Sequence, residues 1–464
     1  GNIVPCFMHI LLATKSTHGT VSPVSNKESM GQFFTTSKDV QRVMVSLVTA
    51  TSGLALEPSA GEGHLSAALE MSKPGLSIES VELDSSLSWS LASHKRIDSD
   101  FFKHASGRDS TYRVIFGNPP YVALKNVSAT SGSLIKDLTS LYSGKTNLYH
   151  LFMHRCIDLL VPGGEIVFIV PGEWLYSTSA SVLRAHMSKN GSLTHLIDCG
   201  EDKLFQDADV PSIVIFRFVK SLKQGSVRFW PSFDDAKEGR NPVKRELLVT
   251  GDRWLIADKS LVSQMKSWLP LSDMFDVKVG LVTGSDKCYA LEDTQDVEEA
   301  CVLEQLTSER SIKRFLYTDD FEKERDIPPK ALKHLRKNKS DLLSRRIKRF
   351  DAGNWWKYGA LRNLELMKSD RERFFANAKT RNPEPFFLHP TAKYFTGAVL
   401  GVFKKDSSAV SCSAAVKLLN SPKFRPVLDA MMLSSNGKIS LQPATLADVL
   451  IPPSDDAIEQ FLAS

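Results

Sequence analysis

The sequence has no Cys-x-x-Cys pair. Its six cysteines, Cys6, Cys156, Cys199, Cys288, Cys301 and Cys412, stand far apart, so neither a disulfide framework nor a zinc site is indicated. It also has no apolar run of membrane length. Residues 6–13 are about half of what a bilayer needs, His9 interrupts them, and no Lys or Arg precedes them as in a signal peptide. Together these absences point to a reducing cytoplasm. No internal repeat is visible, and a composition of 42% hydrophobic and 24% charged residues excludes a disordered or collagen-like chain. His150 and His154 have helical spacing, but Leu151 stands where a metalloprotease helix carries Glu, so no metal is expected.

The 464 residues are enough for two or three domains, and charge divides them unevenly. Residues 1–220 hold 19 basic and 20 acidic side chains, whereas 221–464 hold 39 and 33. Between 310 and 381 there are 21 basic against 10 acidic, the electrostatic footprint of a surface that binds a polyanion. A solvated charged helix is the plainer reading of the same run. The short cluster Asp319-Asp320-Phe321-Glu322-Lys323 is read as solvated charge and not as a nuclease site.

From about 54 to 218, short β-branched or apolar runs (54–57, 78–83, 113–117, 165–170, 193–198, 212–218) alternate with helical patterns. That alternation predicts a mostly parallel α/β sheet covered on both faces, with the last strand a candidate to run antiparallel. After 220, polar and turn residues dominate, which places a domain boundary near 235: a first domain over 1–235 and a second over 236–464. The Ser-, Thr- and Gly-rich stretch 126–144 reads as a mobile loop beside a site.

Asn118-Pro119-Pro120-Tyr121 directly follows a strand, which puts it at the carboxyl edge of the sheet, where open α/β folds bind ligands. Two prolines make the turn stiff. The Asn118 amide oxygen and the Pro119 carbonyl are uncharged acceptors suited to a planar amino group. Accepting from both its N–H bonds would localise the lone pair and make the nitrogen nucleophilic, while Tyr121 could stack on the ring. Upstream, a strand ending at Glu57 runs into Pro58-Ser59-Ala60-Gly61-Glu62-Gly63 and a helix, so the backbone can pass close to a ligand at a helix N-terminus. Ser66 stands where a dinucleotide fingerprint has its third glycine, which disfavours a pyrophosphate. Glu82 ends the next strand, placed to accept from ribose hydroxyls. Asp100-Phe101 offers a carboxylate for an exocyclic amine and a ring for an adenine face.

In this order the motifs resemble those of the gamma-class DNA adenine-N6 methyltransferases of restriction-modification systems. Gly31-Gln32-Phe33-Phe34-Thr35-Thr36 is similar to that family's N-terminal cofactor motif, with Thr35 in the contacting position. Glu57, Pro58, Ala60, Gly61 and Gly63 resemble its cofactor loop, Glu82 its ribose carboxylate, Asp100 and Phe101 its adenine pair, and Asn118, Pro119, Pro120 and Tyr121 its catalytic motif. Phe205 takes the place of the aromatic that stacks on the flipped base. The segments 279–284, 418–421 and 451–453 look like pieces of its target-recognition domain.

The resemblance implies a Rossmann-like S-adenosylmethionine methyltransferase fold with a mostly parallel seven-stranded sheet, followed by a mixed α+β target-recognition domain. It further implies methylation of the N6 amino group of a flipped-out adenine in double-stranded DNA, no metal, a cytoplasmic, nucleoid-associated enzyme of bacterial or phage origin, and a separately encoded restriction endonuclease as a partner. The DNA contacts would fall on the basic domain: Lys330, Lys333, Arg336, Lys337, Arg345, Arg346, Lys348 and Arg349 toward phosphates, with Asn354, Trp355, Trp356, Tyr358 and Arg362 as base-reading candidates. An RNA or protein-glutamine methyltransferase and a catalytically inert DNA-specificity module remain open alternatives.

Overall fold

The computed structural model describes residues 35–127, 132–133, 135–142, 146–200, 213–250, 253–345, 353–431, 434–435 and 438–464. The chain divides after Val262 into two compact units.

The first unit is built on a ten-stranded sheet. Its strands are β1 (Gly53–Glu57), β2 (Leu76–Glu82), β3 (Arg96–Asp98), β4 (Tyr112–Gly117), β5 (Leu160–Pro171), β6 (Gly191–Gly200), β7 (Ile213–Lys220), β8 (Val227–Trp230), β9 (Val243–Thr250) and β10 (Arg253–Ala257). They lie in the order 10-9-8-6-7-5-4-1-2-3. β1 to β5 pair in parallel with one another, and β7 inserts antiparallel between β5 and β6. Central strands such as β4 are apolar on both faces and buried, as a sheet covered by helices on either side requires.

The sheet has ten strands instead of the expected seven, and the compact unit extends to 262 instead of ending near 235. β8 pairs in parallel with β6, and the β9–β10 hairpin continues from it. β10, at the edge, is mostly buried, whereas β8 and β9 are half-exposed, and β9 carries Lys244, Arg245 and Glu246 where an interior strand carries apolar residues. Their polarity is what reads as linker in the sequence.

Helix α1 (Lys38–Leu47) is capped by Ser37, whose hydroxyl accepts from Val40 N–H, and its buried face of Val40, Val43, Met44 and Leu47 joins the core above β1, β4 and β5. Its exit is pinned by Glu165 of β5, whose carboxylate accepts from the Thr49 and Ala50 amides at 2.9 and 2.8 Å and pairs with Arg217 of β7 at 2.6 Å. Helices α2 (His64–Ser72), α3 (Phe101–Ala105) and α4 (Leu148–Leu159) follow β1, β3 and the Asn118–Tyr121 segment in turn. Within the stretch expected to be a mobile loop, Ile135 and Tyr142 are buried, and the Tyr142 hydroxyl meets His154 Nδ1 at 2.7 Å. The described part of that segment is therefore anchored to α4.

The second unit mixes helices with small sheets. Its largest sheet orders Phe275–Val279, Val399–Lys404, Arg373–Asn377 and Phe386–Phe387 antiparallel, and a second combines Ile312–Leu316, Val302–Leu306 and Tyr394–Phe395. Trp355, Trp356, Tyr358, Tyr289 and Phe375 form its core. Among the described residues no helix is long and apolar enough to cross a membrane.

Candidate active site

The order of strands reverses between β1 and β4: from β1 the chain builds outward through β2 to β3, and from β4 through β5 on the other side. The carboxyl ends at such a switch point form the crevice of an open α/β sheet. Here they carry the glycine loop after β1, Glu82 at the end of β2 and Asn118 after β4.

The loop turns on Gly61 and Gly63, with φ of +55° and +87°, a left-handed conformation that costs a residue with a Cβ. A Cβ on Gly63 would also fall 2.7 Å from the Trp89 ring. Two backbone bonds fold the loop onto the sheet end, Ala60 N–H to the Val81 carbonyl at 2.9 Å and Gly63 N–H to that of Ala60 at 2.9 Å. The Glu82 carboxylate accepts from the amides of Gly61 at 2.7 Å and Asp84 at 2.9 Å, which ties the loop to the next strand. Glu57 is buried at the end of β1, and desolvation, opposed by the Ser66 hydrogen bond and reinforced by the Glu82 charge, pushes its carboxyl up to about 8.

Asn118 is held from three sides. Its Nδ2 donates to Thr35 Oγ1 at 3.2 Å, its Oδ1 accepts from Tyr121 Oη at 2.6 Å, and its backbone carbonyl accepts from Ser59 Oγ at 3.0 Å. Thr35, just before α1, is itself placed by Gln41 Nε2, which donates to its carbonyl at 2.8 Å. Four separate segments (35–41, 57–63, 82 and 118–121) therefore meet at one edge, as the motif order implies. Ser59, Gln41 and Trp89 are site neighbours that sequence reading passed over, and Ser66 is one that it read only as an argument against a pyrophosphate. Ser66 alone had a signal, since it replaces a glycine in a loop otherwise fit for a ligand.

Two aromatic residues sit differently from their expected placement. Tyr121 does not stand as an open plate: its hydroxyl points inward to Asn118 and lies 3.1 Å from the Ile169 carbonyl, its ring meets Tyr149 edge-on at 6.0 Å, and burial raises its pKa. Phe101 is buried and stacks on Phe152 of α4 at 4.5 Å, while Asp100 caps α3 by accepting from Phe102 N–H at 2.8 Å. Pro119 is buried and Pro120 half-buried. Phe205, and residues 31–34 of the N-terminal motif, lie outside the described residues.

The basic run of the second unit separates into two kinds of residue. Helix α5 (Pro329–Lys337) buries Ala331 and Leu335 and exposes Lys330, Lys333, Arg336 and Lys337. Lys330 pairs with Asp296 at 2.5 Å and Arg336 with Glu324 at 3.0 Å, both at the surface, where such pairs are weak. Arg345, expected at phosphates, is instead buried. Its guanidinium donates to the carbonyls of Leu342, Thr283, Lys357 and Trp355 at 2.6–3.0 Å and to the Tyr289 hydroxyl at 3.1 Å. A guanidinium with its fork so engaged is a structural hub. Trp355, Trp356 and Tyr358 are core side chains and present no face to a base, whereas Asn354 is half-buried and Arg362 exposed. Arg346, Lys348 and Arg349 lie outside the described residues.

Residues 70–205 match the family model of the Eco57I restriction-modification methylase. The chain is 25% identical to the Type II methyltransferase M.HindII of Haemophilus influenzae over 86% of its own length and 84% of that protein. It is 30% identical to M.HincII of Haemophilus influenzae over 48% of this chain and 42% of that one, and 30% identical to M.TthHB8I of Thermus thermophilus over 44% and 48%. The latter two alignments thus span under half of each relative. Among solved structures, the Type IIL restriction-modification enzyme MmeI in complex with DNA shares the fold, with a TM-score of 0.56 at 9% identity over 88% of this chain and 62% of that one.

Proposed function

The chain is a DNA methyltransferase of the restriction-modification kind that uses S-adenosylmethionine, and from that premise we propose that its target is the N6 amino group of an adenine flipped out of double-stranded DNA. The observation that carries this reading is the fixed Asn118 amide at the carboxyl end of β4, beside the glycine loop. The residues around that loop suit the cofactor. Two glycines let the backbone approach closely, and two carboxylates, Glu57 and Glu82, flank a loop that would hold a molecule with cationic sulfur and ammonium groups. Bound there, S-adenosylmethionine supplies a methyl group on a positively charged sulfur.

The protein's part is positioning. Asn118 Oδ1 and the Pro119 carbonyl accept the two N–H bonds of the target amino group and direct its lone pair, so the nitrogen attacks in line and sheds its proton afterwards. For Oδ1 to receive that group, Tyr121 releases its hydroxyl contact, and its ring then covers the extruded base, offsetting the few kcal/mol that unstacking costs. Phe205 is the proposed second stacking partner. Asp100 and Phe101 border the adenine end of the cofactor, and Thr35 links its methionine end to Asn118.

The second unit is proposed to recognise the DNA target, with Lys330, Lys333, Arg336 and Lys337 on phosphates. A separately encoded endonuclease is the proposed partner in host protection. Incubating the protein with methyl-labelled S-adenosylmethionine and, in turn, duplex DNA, ribosomal RNA and whole-cell protein tests the substrate class. Label in duplex DNA alone is expected, and label in RNA or protein instead would overturn the reading.

A further inference from the structure

A line of four side chains leads from the cofactor loop to the protein surface, and none of the catalytic steps uses it. Strand register sets it up: Glu57 of β1 pairs with Ser80 of β2, and α2 lays Ser66 over both. Ser66 Oγ is hydrogen-bonded to Glu57 Oε2 and lies 2.5 Å from Ser80 Oγ. Ser80 Oγ in turn lies 2.7 Å from His94 Nε2. The first three members are buried. His94 Nδ1, buried and without a hydrogen-bond partner among the described residues, then faces the partly exposed Glu70 carboxylate of α2 at 3.6 Å, which ends the line. The His94 backbone is fixed as well, because its carbonyl accepts from Trp89 Nε1 at 2.7 Å, and the Trp89 ring covers Gly63.

We propose that Ser66, Ser80 and His94 form a proton relay through which Glu57 changes from carboxylic acid to carboxylate when the cationic cofactor binds at the glycine loop. The inference rests on S-adenosylmethionine being the ligand of that loop. Every group in the line can both give and take a proton, so the direction reverses without any heavy atom moving. Before binding, the Glu57 O–H donates to Ser66, Ser66 to Ser80, and Ser80 to His94 Nε2. As the cation arrives, each proton moves one place along: Glu57 is left a carboxylate accepting from Ser66, His94 takes a proton on Nε2, and the proton on its Nδ1 leaves by way of the neighbouring Glu70 carboxylate. From there that proton passes to solvent, so the complex holds one proton fewer than the empty protein and His94 ends neutral, as its other tautomer.

The charge acting on Glu57 from its neighbours is that of Glu82, which favours the neutral acid in the empty protein, in keeping with its pKa near 8. At the other end Glu70, held below the usual carboxylate range chiefly by hydrogen bonds from Ser93, is the anion beside His94 Nδ1. Arg96 of β3 lies beyond the Trp89 ring and is paired with Asp98. The sign of the linkage follows: below about 8 the empty protein holds a proton that the complex does not, so cofactor affinity rises with pH, by up to about tenfold per unit, and levels off above it.

Calorimetry of S-adenosylmethionine binding in buffers of different ionisation enthalpy counts protons released. The ligand's own amino group titrates in this range too, so the readout is wild type minus Glu57→Gln, in which that contribution cancels. A difference approaching one proton near pH 7 is expected, with only the ligand's own contribution left in the variant. With histidine labelled in its ring nitrogens, the His94 signal, identified by its loss in His94→Gln, should change from the Nδ1–H to the Nε2–H tautomer on cofactor addition in wild type and stay still in Ser80→Ala. No proton difference between wild type and Glu57→Gln, or an intact His94 response in Ser80→Ala, would overturn the relay while leaving the cofactor reading in place. Failure of S-adenosylmethionine to bind at any pH would overturn both.

Discussion

At the carboxyl edge of the first unit's sheet, polar side chains are buried or half-buried and satisfied by one another, whereas along α5 of the second unit they are exposed, and only Lys330 and Arg336 meet surface carboxylates among the described residues. Asn118 has its amide and its carbonyl held by Thr35, Tyr121 and Ser59, so its acceptor is aimed before any substrate arrives. Lys333 and Lys337 stand exposed on their helix, with no ion pair among the described residues. The first arrangement suits a step that depends on angstrom-scale alignment, and the second suits a field that acts over a Debye length of about 8–10 Å. Arg345 belongs with the first kind although it lies in the second unit: it is buried, aimed and fully engaged.

The comparison predicts a hierarchy of effects. Asn118→Ala should lower methyl transfer by about 100- to 1,000-fold, the scale of losing a preorganised polar contact at a reacting centre, with cofactor binding retained in calorimetry. Cofactor binding lost in step with activity would mean that Asn118 serves the loop and not the target. Arg345→Ala should cost about 3 kcal/mol of stability in denaturant unfolding, because several carbonyls lose a charged donor. Unchanged stability would return this arginine to the DNA-facing set. Glu82→Ala should weaken cofactor binding by about 1–3 kcal/mol, since the loop loses the carboxylate that holds Gly61. Equal affinity in wild type and variant would remove Glu82 from the site. The double substitution Lys333→Ala with Lys337→Ala should leave stability and target sequence unchanged and reduce the slope of log affinity against log salt by about 0.9 per lost phosphate contact. An unchanged slope would place the DNA elsewhere on the unit.

Much of the site is legible in the sequence because its pieces are local: a strand, a glycine loop with positive φ, and an acceptor after a strand each leave a short signature. What joins them is not local. The bonds from Thr35 to Asn118 and from Ser59 to the Asn118 carbonyl cross 83 and 59 positions, and serines and threonines are too common to be singled out beforehand. The relay through Ser66 and Ser80 is hidden for the same reason. Net charge misleads at Arg345, Trp355 and Trp356, since a count of cations cannot separate a surface lysine from a guanidinium satisfied by carbonyls inside a core. Strands β8 and β9 escape because half-exposed polar strands carry the composition of loops.

The central claim is that Asn118 directs an adenine N6 amino group toward the methyl donor. Nucleoside analysis by mass spectrometry of DNA from a host expressing the protein tests it most directly, with an Asn118→Ala host as control. The account predicts N6-methyladenine in the first DNA and none above background in the second. N4-methylcytosine in place of methyladenine, or methyladenine at equal levels in both hosts, would contradict it.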